Sequence, residues 1–176
     1  MKTLFFNLII LSLISLDLTG QKKEKISYKA DELKFKRINK EPVRKLKYNV
    51  VFTQGETKIH CDSANFYNNR NTLEAFGKIL ITNSDSSTIV AERLIYDGER
   101  KTAKLRDNVI YKKGDEQIKT NNLDYFIDIK MGVFFDYGEL NDEVNILSSI
   151  NGVFYGDQDL SIFYDGVKLI GENYVL

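Results

Sequence analysis

The residues able to do chemistry are few. The chain has one histidine, His60, directly before its one cysteine, Cys61. A thiolate nucleophile needs a base and a group that orients it, and zinc needs three or four protein ligands. An isolated His-Cys pair meets neither requirement. Cys61 fills a slot held elsewhere by Ala91, Thr120 and Ser149, so it reads as a small buried residue. His60 lies between two inward positions and should face outward. A second candidate is the recurrence of Asp31, Asp62, Glu92 and Asn122 at one slot. These side chains would either form a stacked carboxylate site, as in polysaccharide-cleaving or calcium-binding β-proteins, or satisfy backbone N–H groups freed at a bulge. The second role needs no ligand and is preferred. No Gly-rich loop precedes a Lys-Ser/Thr pair, so no nucleotide motif is present. Neither cofactor nor metal is expected, and the chain reads as a non-enzyme.

The elements that position these residues repeat. One pattern (apolar, any, small, polar, polar, apolar, any, aromatic) recurs as Ile59-x-Cys61-x-x-Ala64-x-Phe66, Ile89-x-Ala91-x-x-Leu94-x-Tyr96 and Ile118-x-Thr120-x-x-Leu123-x-Tyr125, at offsets of 30 and 29. Weaker copies flank it, Tyr28-x-Ala30-x-x-Leu33-x-Phe35 before and Leu147-x-Ser149-x-x-Gly152-x-Phe154 after. A second landmark keeps the period. The pairs Val50/Phe52, Ile79/Ile81, Val109/Tyr111, Gly138/Leu140 and Val167/Leu169 are 29, 30, 29 and 29 residues apart. Internal periodicity of this kind marks a repeat architecture.

Within each repeat the apolar residues alternate with period two, as in strands with one buried face. Turn residues separate the strands: Asn68-Asn69, Asn83-Ser84-Asp85-Ser86, Asp97-Gly98 and Gly114-Asp115. About 29 residues less two turns leaves two strands of about ten residues, which fits an antiparallel meander. The alternation slips once per repeat, at Asp62-Ser63, Glu92-Arg93 and Asn121-Asn122. A bulge or bend there would keep both apolar pairs inward. Recurring bends stack, so the sheet should fold along a crease over a long apolar interior.

The first twenty residues stand apart. Lys2 precedes an apolar run from Leu4 to Leu16, too short to span a membrane, and Leu18-Thr19-Gly20 offers a cleavage point before Gln21. Residues 1–20 are read as a secretory signal peptide, with an uncleaved anchor as the alternative. The remaining 21–176 form one β domain that works outside the cytoplasm. Charges sum to zero over 176 residues, which argues against an ordinary nucleic-acid binder. They are nevertheless segregated: residues 21–50 hold eleven Lys/Arg against four acids (+7), and residues 131–176 one Lys against eight acids (−7). If the repeats stack in order, one end is basic and the other acidic, which suits head-to-tail association of copies. The basic set Lys34, Lys36, Arg37, Lys40, Arg44, Lys45 and Lys47 would alternatively meet lipid phosphates or stay solvated.

The segments Cys61-Asp62-Ser63-Ala64, Glu74-Ala75-Phe76-Gly77, Leu94-Ile95-Tyr96-Asp97-Gly98, Ala103-Lys104-Leu105-Arg106-Asp107-Asn108-Val109 and Leu147-Ser148-Ser149 resemble the OstA-like (LptA-type) lipopolysaccharide-transport proteins of the bacterial periplasm, especially those of Bacteroidetes-type bacteria. The resemblance covers about residues 25–176. It implies an all-β fold, a bent antiparallel β-jellyroll of about five repeats of ~29 residues, open at both ends. It further implies a periplasmic carrier or bridge that shields lipopolysaccharide acyl chains on the way to the outer membrane. Its partners would be lipopolysaccharide and transport subunits of the inner and outer membranes. Candidate groove residues are Ile59, Phe66, Ile79, Ile81, Ile89, Leu94, Tyr96, Val109, Tyr111, Ile118, Leu123 and Tyr125. Sequence does not separate lipid-facing residues from those that pack on each other. The rival readings are a structural β-repeat scaffold with a solid interior and a carbohydrate-active enzyme. Family members of this type run through further repeats, so a chain stopping at Leu176 reads as truncated or as a short member.

Overall fold

The computed structural model describes residues 24–176, apart from 143, 159, 172, 173 and 176, and only the backbone of Tyr174 and Val175. The signal-peptide reading of residues 1–20 lies outside the described residues. The chain runs as β1 (Ser27–Lys29), β2 (Glu32–Ile38), β3 (Glu41–Gln54), β4 (Thr57–Tyr67), a 3₁₀ turn (Asn68–Arg70), β5 (Thr72–Thr82), β6 (Thr88–Asp97), β7 (Thr102–Lys113), β8 (Glu116–Phe126), β9 (Met131–Phe134), β10 (Gly138–Asn141), β11 (Ile146–Ser149), β12 (Asn151–Tyr155), β13 (Leu160–Tyr164), β14 (Lys168–Gly171) and β15 (Tyr174–Val175). Every pairing is antiparallel. From β3 to β8 each strand pairs with the next. The short strands beyond them are halves of longer runs: β9 and β10 both pair with β8, β12 continues from β11 to pair with β9, and β14 continues from β13 to pair with β11.

The crease is where sequence and structure part company. Along β4, β6 and β8 the apolar alternation slips, as the pattern indicates. The extra residue and the special backbone, however, sit on the intervening strands. Asp62 alone on β4 faces both Tyr48 and Asn49 on β3, because Lys47 pairs with Ser63 and Val50 with Cys61. The same two-against-one count recurs at Gly77-Lys78 opposite Glu92, and at Asp107-Asn108 opposite Asn121. Asn121, not Asn122, is therefore the equivalent of Asp62 and Glu92. All residues of these pairs have left-handed backbone, and so do Asp136-Tyr137 and Asp165-Gly166, which continue the period. Asn, Asp and Gly tolerate that conformation best and hold seven of these ten places. Two inserted residues leave the inside/outside parity of β3, β5 and β7 intact, so no slip shows there.

The crease divides the sheet into two leaves that fold onto each other. The chain forms the creased antiparallel sheet expected from the repeats and the bent, open-ended jellyroll implied by the resemblance. One apolar cluster fills the space between the leaves and runs from Ile26 to Phe154. In the last repeats it is built differently. Phe154 stands in register with Gly132, and Phe134 with Gly152. A Cβ on either glycine would come within 2.1–2.2 Å of a ring atom, so each ring lies directly on bare backbone. This is why the fifth copy of the pattern carries Gly152 where the others carry Ala or Leu.

Candidate functional site

Between the leaves, all twelve candidate groove residues point inward and are 0–3% exposed. Buried this far, they offer almost no surface to water, so the interior is closed and packed. The open ends differ. On β2, Leu33 and Phe35 stand in register with Leu46 and Arg44 on the inward face, yet Phe35 is 76% exposed because no further strand among the described residues covers it. Beside it opens a cleft of about 380 Å³ lined by Phe35, Arg37, Arg44 and Asn68, among others. At the opposite end, Val167 is exposed and Phe163 half-buried against Phe134, with ring centroids 5.3 Å apart.

The mouth, where the free rims of the two leaves meet, is closed by polar bonds that recur with the repeat. Ile26 N–H donates to Asn71 Oδ1 at 3.2 Å. Gln54 Nε2 donates to Gly98 O at 2.7 Å and to Glu24 O at 2.6 Å, while its Oε1 accepts from Tyr96 Oη at 2.7 Å. Lys130 Nζ lies 3.5 Å from Asp85 Oδ2 and 2.8 Å from Asp157 Oδ1. Lys113 Nζ donates to Gly156 O. The partners are 45, 44, 45 and 43 residues apart (26/71, 54/98, 85/130, 113/156), so the four form a ladder along the rim.

Electrostatics follow burial. Desolvation pushes the Tyr111 phenol up to about 12, with the Asp85 charge adding to it, and shifts Tyr96 and Tyr125 the same way. Burial acts to raise Asp85 as well. The Ser87 hydroxyl and N–H and the Lys130 ammonium outweigh it and hold the carboxyl below its usual value. Burial, then the Asp62 charge, pushes Cys61 up to about 12, an unreactive thiol at neutral pH. His60 faces outward.

The crease carboxylates do less than sequence suggests. Asp31 Oδ2 accepts from Asn49 Nδ2 at 2.6 Å, and Asn121 Oδ1 accepts the freed Asn108 N–H at 3.3 Å. Asp62 and Glu92 make no side-chain hydrogen bond among the described residues, so the capping role holds at one position rather than all. The basic set clusters on the β2–β3 hairpin at the open end with Phe35. There Lys34 faces Lys45 directly, and Glu32 both pairs with Lys34 at 2.6 Å and faces Lys47.

Sequence reasoning missed the rim. Gln54 was legible, since it is a polar residue at an inward position two beyond Phe52. Asp85, Lys130 and Gly156 lie in turns, where no periodicity marks them. Phe134 falls in no copy of the pattern, whereas Phe154 is marked as the aromatic of the fifth.

Among solved structures, LptH, the LptA-homologous periplasmic component of the conserved lipopolysaccharide transport device of Pseudomonas aeruginosa, matches at 13% identity. The match covers 84% of this chain and 94% of that one, with a TM-score of 0.35. No curated protein matches the sequence. The family model described as OstA-like protein matches residues 22–176. A match of that span places the chain in the OstA-like family.

Proposed function

We propose that this protein is a non-enzymatic periplasmic carrier or bridge for lipopolysaccharide, holding acyl chains between its leaves while sugars and phosphates stay in water. Membership of the OstA-like family supports the reading, and one observation carries it: an apolar interior that runs the length of the sheet without a break and ends in exposed apolar side chains. The interior is packed, so an acyl chain enters only if the leaves part. Parting exchanges contacts between side chains for contacts with the acyl chain, which is nearly neutral for the protein. The net gain is the lipid's own, about 0.8 kcal/mol per methylene removed from water. The twelve inward residues named above are the proposed lining. A cleaved signal peptide at 1–20 would deliver the chain, and subunits at the inner and outer membranes would load and receive the cargo. The basic and acidic ends suit head-to-tail stacking of copies.

The interior's closure favours a second reading, a structural β-repeat scaffold of the envelope. Photocrosslinking residues at positions 89, 94 and 118 separate the two in a lipopolysaccharide-producing host. Capture of lipopolysaccharide, with lipid co-purifying by mass spectrometry, is the carrier's outcome. Silent probes and a lipid-free protein establish the scaffold.

A further inference from the structure

The middle of the rim holds a cluster with two hydroxyls that the closed protein leaves unsatisfied. Tyr111 Oη and Tyr125 Oη are buried and have no hydrogen-bond partner among the described residues, and buried Asp85 Oδ2 faces only the Lys130 ammonium, at 3.5 Å. Tyr111 is 3% and Tyr125 0% exposed, and their rings are 5.9 Å apart, with Phe154 against the Tyr111 ring at 4.6 Å. The Tyr111 hydroxyl lies 2.8 Å from where a Cβ would stand on Gly156. Gly156 N–H in turn donates to Lys130 O at 2.9 Å, and Lys130 Nζ faces Asp85 Oδ2 at 3.5 Å. The Asp85 carboxylate is itself tied down, its Oδ1 accepting from Ser87 N–H at 3.0 Å and from Ser87 Oγ at 2.6 Å. The two unpartnered hydroxyls and the Asp85 oxygen thus belong to one region under one rim bond.

Buried hydroxyls without partners are uncommon and destabilising, and phenylalanine fills the same volume without that penalty. Phe35, Phe66 and Phe154 hold the slot of Tyr125 in other copies of the repeat, and Phe52 holds that of Tyr111, so both slots accept phenylalanine. We propose that Tyr111, Tyr125 and Asp85 form a polar recognition site inside the apolar interior for a hydroxyl group carried on an acyl chain. The chemistry is complementary: a chain hydroxyl donates its one proton to Asp85 Oδ2, and its oxygen accepts from the phenols. The site deepens the carrier reading and rests on it.

The test uses the purified chain with octadecanoic acid and a panel of its hydroxy derivatives differing in hydroxyl position, with affinity measured by calorimetry. At least one hydroxy acid binds about 5-fold more tightly than the plain acid, the effect of one good hydrogen bond. The double variant Y111F/Y125F abolishes that preference and melts higher than the parent when ligand-free. Equal binding of all the acids overturns the recognition site while leaving the carrier intact. Failure of every acid to bind overturns both. A lower melting point in the double variant shows that the hydroxyls are already satisfied, by buried water, and overturns the site whatever the affinities.

Discussion

Gln54 offers a test of whether the rim ladder holds the leaves together. Its side chain is 6% exposed and bonds to Tyr96 Oη, Gly98 O and Glu24 O. Gln54→Leu keeps an apolar body of similar size and removes all three bonds. The Tyr96 hydroxyl, on a side chain 1% exposed, and the buried Gly98 carbonyl are then stranded. Each stranded group costs about 1–2 kcal/mol, giving a loss of about 2–4 kcal/mol. For a chain of this size that is a fall in Tm of about 6–12 °C. Urea unfolding followed by circular dichroism measures it, with an unchanged m-value showing that the two states are otherwise the same. The double-mutant cycle sharpens the result. Tyr96→Phe alone destabilises by about 1 kcal/mol, but in the Gln54→Leu background it removes a stranded hydroxyl and restores about 1 kcal/mol. Losses that simply add, or a Gln54→Leu loss under about 0.5 kcal/mol, would refute the idea that this bond set closes the mouth.

Three further outcomes are expected. Gly152→Ala places a Cβ about 2.2 Å from the Phe134 ring, so it should overpack the interior and lower stability by about 1–3 kcal/mol, with Phe134→Leu partly rescuing it; thermal melts of the single and double variants decide this. The Asp85 carboxyl titrates below its ordinary value in the folded chain, so its stabilisation is complete above about pH 4 and disappears as pH falls through the lowered folded value. Asp85→Asn should therefore flatten the acid side of the Tm–pH profile below about pH 4, and an unchanged slope there would contradict it. Cys61, raised from 9.0 to about 12, has a thiolate fraction about 10³-fold smaller at pH 8 than an ordinary cysteine. Its reaction with an aromatic disulfide reagent should be correspondingly slow in the native protein and fast in urea; rapid native labelling would mean the leaves part readily.

The sequence by itself determined the strands, their order and the existence of a crease. These depend on neighbours one or two residues apart and on a period of about 29: inward residues such as Ile79 and Ile81 alternate because the strand pleat alternates, and Asn, Asp and Gly gather where the backbone must turn. It misplaced the pivot. A parity slip is visible on β4, β6 and β8, whereas the two left-handed residues that bend β3, β5 and β7 preserve parity and leave no mark in the pattern. Only the tertiary structure decided that the interior is closed, that Gly132 and Gly152 make room for aromatic rings, and that Gln54, Asp85 and Lys113 meet Gly98, Lys130 and Gly156 across the mouth. The reason is physical. Alternation fixes which face a side chain takes, but the distance between two apolar faces is set by how far the leaves fold together. That folding brings together turns more than forty residues apart, which no local pattern records.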